Sequence, residues 1–391
     1  MLLEMTMIQK KYQEILDKYV SGGQCAGCAV LLYRNGEELA YAASGGRDFD
    51  LSGHMPKRSD ERAFDRKTVV LMYSMTKVVT SAAVMTLFDQ GLLAPETPVA
   101  DVIPEFCDLK VVMPDGTLKK AENILRVKHL LTMTSGIPYH WEGGAVGDRV
   151  RAMLTDLETL PPEQVTTLEL VRRIGQCPVM FEPGTAYLYG LSADVLGGIV
   201  TAVTGMELRD YMKKTIFDPL GMTDTAFRPL AHMQNRMARK YDRDENGKFT
   251  PSDIYMGIPA IDRSPVIDMG GSGLYSTADD FMKFGEMLRC GGMGIIREET
   301  VREMAKNQLP DCISADYIRN NGGYGYGYLV RSLADPSLDS LGEGIGAFGW
   351  GGMAGTDLRI DPARGYTLVW SVQRFPGCCP LGDFMDALKD V

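Results

Sequence analysis

Long basic runs are missing from this chain: no stretch of Lys and Arg exceeds a dipeptide in 391 residues, and the formal net charge is −10. A nucleic-acid partner needs a clustered positive surface and is therefore not expected. Apolar stretches of membrane-spanning length are missing too. The first turns carry Glu4, Lys10, Lys11, Glu14, Asp17 and Lys18, which leaves no secretory apolar region there. The expected setting is cytoplasmic, away from membranes. Histidine is scarce, with only His54, His129, His140 and His232, so a Ser-His-Asp triad is poorly supported. There is no Gly-x-Ser-x-Gly elbow, no phosphate-cradling Walker loop and no His-Glu-x-x-His zinc motif. The 8 cysteines fit a reducing compartment better than a disulfide framework at this length. Cys25-Ala26-Gly27-Cys28 has the spacing of half a zinc site but no second pair, and small buried residues entering a strand are the expected outcome. No cofactor or metal is implied.

What is present is an ordinary globular composition, 45% hydrophobic and 24% charged, enough for a sizeable core. Ile8, Tyr12, Ile15, Leu16, Tyr19 and Val20 follow helical spacing near the start. Residues 28–34 and 37–43 are strand-like runs joined at Asn35-Gly36, a strong hairpin signal. A charged loop extends to about residue 67. Residues 92–264 are expected to form short helices between Pro/Gly loops, with 127–131 and 192–203 as examples. A helix over 278–290 follows, then strands over 324–330, 347–353, 357–360 and 366–373, and a last helix over 384–389. The expected architecture is α+β: one antiparallel sheet built from both ends of the chain (residues 1–70 and 265–391), flanked by helices. An inserted all-helical region would span about 71–264, with the active site between the two parts.

Three stretches could carry chemistry. The first is Ser74-Met75-Thr76-Lys77, ahead of a charge-free apolar run ending near Gly91. Such a run reads as a helix buried on all sides. Residues three apart share a helix face, so Ser74 and Lys77 would meet at its N-terminal end. Burial disfavours the charged form of a lysine, and a neutral amine accepts a serine proton. A Ser-x-x-Lys alone is weak, since about one is expected by chance in a chain this long. The second stretch is Pro183 to Leu191, with Tyr187 and Tyr189 in a loop entering a helix; tyrosines there commonly pack, although one beside a lysine can serve as a base. The third is Phe348-Gly349-Trp350-Gly351-Gly352-Met353, where glycines within a strand mark a close approach by backbone or ligand. Asp242 to Asp253 approximates a calcium loop, but Asn246-Gly247 between Tyr241 and Phe249 makes a better hairpin turn.

Together these segments resemble the serine β-lactamase and penicillin-binding superfamily, in its class C-like branch. The resemblance also rests on Leu130-Leu131-Thr132-Met133-Thr134-Ser135-Gly136-Ile137 and on Gly271-Ser272-Gly273-Leu274-Tyr275-Ser276-Thr277-Ala278, and it runs from about residue 23 to 373. It implies a β-lactamase-like fold with Ser74 as the acylated nucleophile, Lys77 as its proton-transfer partner and Tyr189 as the base. The backbone amides of Ser74 and Met353 would form the oxyanion hole. Trp350, Gly351, Gly352 and Leu191 would meet the substrate. Two departures from the family pattern stand out. Tyr189-Gly190-Leu191 replaces Tyr-x-Asn, and Trp350-Gly351-Gly352 replaces Lys-Thr-Gly. The second removes the cation expected to grip a carboxylate, a contact worth about 1.5–3 kcal/mol, or roughly one to two decades in binding. Trp-Gly-Gly is similar to the family VIII carboxylesterases. A serine esterase acting on small esters is therefore the leading expectation. The alternatives are a weak β-lactamase or D-amino-acid peptidase in which another cation (Arg359 is one candidate) replaces the lysine, and a penicillin-binding or sensor protein that acylates with little turnover.

Overall fold

The structure, a computed structural model, describes residues 2–49, 62–252 and 255–389. Its frame is a seven-stranded antiparallel sheet. In chain order the strands are β1 (Gly27–Arg34), β2 (Glu37–Gly45), β3 (Tyr324–Tyr326), β4 (Arg331–Leu333), β5 (Phe348–Gly351), β6 (Asp357–Asp361) and β7 (Tyr366–Val372), in spatial order β2-β1-β7-β6-β5-β4-β3. Both ends of the chain thus supply one sheet, with β1 pairing directly to β7. The β1–β2 turn is the Asn35-Gly36 pair at φ 53° and 86°, both in the left-handed region that a tight hairpin turn requires.

Consecutive residues of a strand face opposite sides, and here both sides are covered. On one side Val30, Leu32, Leu368 and Trp370 pack with Ile8, Tyr12, Leu16 and Phe384. Those last four come from the first helix, α1 (Leu2–Ser21), and the last helix, Leu381–Lys389. On the other side Leu31, Leu358 and Val369 join Phe281 and Phe284 of the helix Ala278–Arg289 in the main core. Two-sided burial explains why β1 and β7 read as apolar runs without polar alternation.

The apolar run after Ser74 forms α2 (Thr76–Asp89), buried from Thr76 to Leu87. Its hydroxyls have internal partners, as a fully buried helix requires: Thr80 Oγ1 donates to Gly270 O (2.6 Å) and Ser81 Oγ to Tyr328 O (2.7 Å). The helix stops at Gly91, φ 69°. Gly91 N–H bonds Phe88 O and Leu92 N–H bonds Leu87 O, closing the last carbonyls.

The central region is more mixed than the all-helical expectation. It holds the helices Val127–Leu131 and α3 (Ser192–Thr204), but also two short hairpins, Lys110–Val112 with Leu118–Lys120 and Tyr241–Arg243 with Phe249–Pro251. The first is set by Pro114-Asp115-Gly116, where the Asp115 carboxylate accepts Thr117 N–H (2.9 Å), a turn chemistry that outweighs helical tendency. The second is the Asn246-Gly247 turn. Most of the charged loop before residue 67 lies outside the described residues.

Candidate active site

Ser74 sits at the end of a strained approach. The short strand Val70–Leu71 pairs with Tyr275–Ser276, and the chain then reverses at Tyr73, a non-glycine residue at φ 46°. Such a conformation costs about 1 kcal/mol or more. Burial of the Tyr73 side chain against Ala354 and Tyr255 offsets it. Residues Tyr73–Met75 form one tight 3-10 turn, and α2 begins only at Thr76. Ser74 therefore lies just ahead of the helix rather than inside it. Its side chain remains part exposed while Lys77 is fully buried.

Lys77 Nζ donates to Ser74 Oγ (3.2 Å), Tyr139 Oη (3.0 Å) and Gly271 O (2.7 Å). Three oxygens thus surround the buried nitrogen, the hydrogen-bond satisfaction that burial of a polar group requires. Among the described residues no carboxylate contacts Lys77 directly. Burial pushes the Tyr139 hydroxyl well up, and the nearby Tyr189 and Asp194 push it further, so Tyr139 meets the lysine as a neutral phenol.

Tyr189 reaches the same place by a different contact. Lys77 Nζ lies 4.6 Å from its ring centroid, over the face of the ring. The Tyr189 Oη accepts the indole N–H of Trp350 (3.0 Å), its only hydrogen bond among the described residues. Tyr139, Tyr189 and Trp350 thus form a continuous aromatic wall, with centroids 5.8 Å and 5.5 Å apart. Trp141, half exposed, stacks on Tyr139 at 4.1 Å and extends that wall toward solvent. Gly190 makes the assembly possible. A Cβ there would lie 2.0 Å from Ile137 O, so only glycine lets the Ile137-Pro138-Tyr139 loop close on Tyr189.

The third stretch also arrives beside Ser74. Trp350 and Gly351 end β5, and the turn through Gly352 and Met353 folds over Met72: a Cβ on Gly352 would meet Met72 O at 2.4 Å, and Thr356 Oγ1 donates to the same carbonyl (3.3 Å). The Met353 side chain is exposed. Other expectations need correction. Leu191 is 1% exposed and packs in the main core, so its side chain serves the fold and not a substrate. Arg359 is locked to Glu343 (2.9 Å) and Asp357 (3.3 Å) in the sheet, which removes it as a replacement cation.

His129 is a packed residue: its Nδ1 accepts Arg126 N–H (3.2 Å), and burial lowers it to about 4, leaving it neutral. Cys25 and Cys28 are buried thiols, and among the described residues no His/Cys/Asp/Glu cluster has metal-binding geometry. Asp253, the last position of the calcium-like stretch, lies outside the described residues.

Sequence reasoning missed three participants. Tyr139 belongs to none of the three stretches singled out in the sequence. Gly271 belonged to a motif with no assigned contact. Asp194, 1% exposed on α3, accepts Gly271 N–H through Oδ1 (2.8 Å). A single acidic residue in the otherwise apolar stretch 193–200 was the signal that could have found it.

Known proteins resemble this chain over nearly its whole length. The Beta-lactamase family model matches residues 12–378. Esterase EstB of Burkholderia gladioli is 28% identical over 94% of this chain and 91% of its own length. The lovastatin esterase of Penicillium rubens is 27% identical over 93% of this chain and 89% of its own. The solved structure of EstCE1, a hydrolase with promiscuous acyltransferase activity, superposes with a TM-score of 0.82 at 23% identity, covering 99% of both chains. The chain belongs to the beta-lactamase family.

Proposed function

We propose that this protein is a serine carboxylesterase that hydrolyses small esters of neutral or apolar acids through an acyl-enzyme on Ser74. One observation carries the reading: Ser74 Oγ lies 3.2 Å from a buried Lys77 whose other bonds go to a phenol and a carbonyl rather than to a carboxylate. In that arrangement Lys77 is not half of a salt bridge, and its amine form is available for proton transfer. Ser74 Oγ attacks the ester carbonyl carbon while its proton passes to Lys77 Nζ, 3.2 Å away, acting as the neutral amine, with Tyr189 as the proposed partner in the proton transfer. The C–O bond to the alcohol then breaks, and the leaving alkoxide takes that proton. Water repeats the sequence on the acyl-enzyme and releases the acid. The amides of Ser74 and Met353 are the proposed oxyanion donors, supported by the approach of the Gly352 turn to Met72.

The choice of ester over β-lactam or D-peptide rests on Trp350. It presents a neutral indole N–H and a ring where a carboxylate-gripping lysine would be needed. The nearby arginines Arg331 and Arg359 are both engaged by Asp357. The relatives named as esterases support the same choice. A comparative panel tests it: p-nitrophenyl acetate and butyrate should be turned over with kcat/KM well above that for nitrocefin. Nitrocefin turnover that outpaces the esters would overturn the ester assignment. A stable adduct without turnover would instead identify an acylating sensor.

Tyr139 should matter to the same chemistry by holding Lys77. Tyr139→Phe removes one of three acceptors and leaves the buried ammonium short of a partner, a penalty of about 1–3 kcal/mol. The expected result is a kcat for p-nitrophenyl butyrate lower by about tenfold or more with KM little changed. An unchanged kcat would show that the Tyr139 contact is incidental.

A further inference from the structure

The strip Gly270-Gly271 is tied at three consecutive points. Thr80 Oγ1 holds Gly270 O (2.6 Å), Asp194 Oδ1 holds Gly271 N–H (2.8 Å), and Lys77 Nζ holds Gly271 O (2.7 Å). Two of these tethers come from α2, and the third comes from α3, which packs against it. The strip is seated against α3 so closely that a Cβ on Gly271 would lie 2.7 Å from Asp194 Oδ2, and one on Gly270 would lie 2.5 Å from Ala193 O. Asp194 is thus a buried carboxylate one residue's backbone away from the lysine beside the nucleophile, and nothing in the reaction described above uses it. Among the described residues no cation contacts it directly, and a buried carboxylate in that setting is costly and needs a reason to be there.

We propose that Asp194 is the positioning residue of the relay: it fixes the Gly271 carbonyl that anchors Lys77, and its negative charge sets the pH at which the relay can accept the Ser74 proton. This deepens the esterase reading and rests on it. The titratable groups that act on or feel Asp194 are Lys77, Tyr139 and Tyr255. Burial raises Asp194 from 3.8 to about 6, against the opposing pull of Lys77 and the Gly271 amide. Above that pH the charge is present. Removing a negative charge makes every neighbouring group easier to deprotonate, whether the accepting base is the lysine or a phenol. The acid limb of the rate profile must then move to lower pH.

Asp194→Asn keeps an acceptor for Gly271 N–H and removes the charge, whereas Thr80→Val removes the tether on Gly270 without touching charge. Both are compared with wild type in kcat and kcat/KM against pH for p-nitrophenyl butyrate, and in the rate of Ser74 labelling by a fluorophosphonate. The expected D194N result is a lower kcat, KM within about twofold, and an acid limb displaced by about one pH unit, a tenfold change in base occupancy at a fixed acid pH. T80V should lower kcat with its limb unmoved. Because folding opposes ionisation of this carboxylate, D194N should unfold no earlier than wild type above pH 6. A D194N protein with an unmoved limb in both assays overturns the proposal, whatever its kcat. Should D194N not fold, wild-type labelling still decides: an inflection near pH 6 supports the assignment, and a flat profile through that pH rejects it. Absence of wild-type ester turnover with a shifted labelling profile would sink the esterase reading while leaving Asp194 in its role.

Discussion

Ser74→Ala should abolish ester hydrolysis, lowering kcat for p-nitrophenyl butyrate by about 10⁴-fold or more, the scale at which acyl-transfer enzymes lose activity with their nucleophile. The fold should be unaffected. Ser74 Oγ is part exposed and accepts one hydrogen bond from Lys77, which keeps two other acceptors without it. Steady-state assay beside thermal unfolding separates the two effects. Retained hydrolysis in a folded S74A protein would exclude Ser74 as nucleophile and with it every role assigned around it.

Lys77→Met should produce the second large effect, and on two quantities at once. Loss of the proton-relay amine should reduce kcat by about 10²–10⁴-fold. Stability should fall too, because Gly271 O and Tyr139 Oη lose their donor and Asp194 loses the nearby cation. Removing one member of a buried charged set costs about 3–5 kcal/mol. The penalty has a predictable pH dependence. Asp194 already titrates high, at about 6 rather than 3.8, and Lys77 is what restrains the rise. Without the lysine its folded-state value climbs further. A carboxylate with a raised folded-state value binds its proton more tightly folded than unfolded, so the stability it contributes fades as pH rises through that window. K77M should therefore trail wild type in Tm by more at pH 8 than at pH 5. A difference that is the same at both values would mean that Asp194 does not sense Lys77.

Much of this was legible in the residues, and what was not has identifiable causes. The Asn35-Gly36 hairpin, the buried α2 and its Gly91 stop follow from local rules, and the structure has each of them. The expected strand over 324–330 is instead a hairpin, β3 and β4, turned at Leu329 with φ 58°. That turn is held from afar, by Leu329 N–H on Leu131 O (2.8 Å), which no local pattern announces. The site shows the same division. Ser74 and Lys77 are three residues apart, a spacing that still pairs them although Ser74 lies in the 3-10 turn ahead of α2. Tyr139 lies 62 residues from Lys77 in sequence and Asp194 reaches it only through Gly271, so neither has a local signature. The Trp350 N–H contact to Tyr189 joins residues 161 apart. Its consequence, an aromatic donor where a cation was missing, was visible only as a departure from the family pattern.

The most direct measurement is intact and peptide mass analysis of the wild-type enzyme quenched during turnover of p-nitrophenyl acetate. The expected result is a single added acetyl group on the peptide containing Ser74, appearing within the first turnover and absent from S74A. Turnover with no covalent adduct, or an acetyl group on another residue, would contradict nucleophilic catalysis at Ser74.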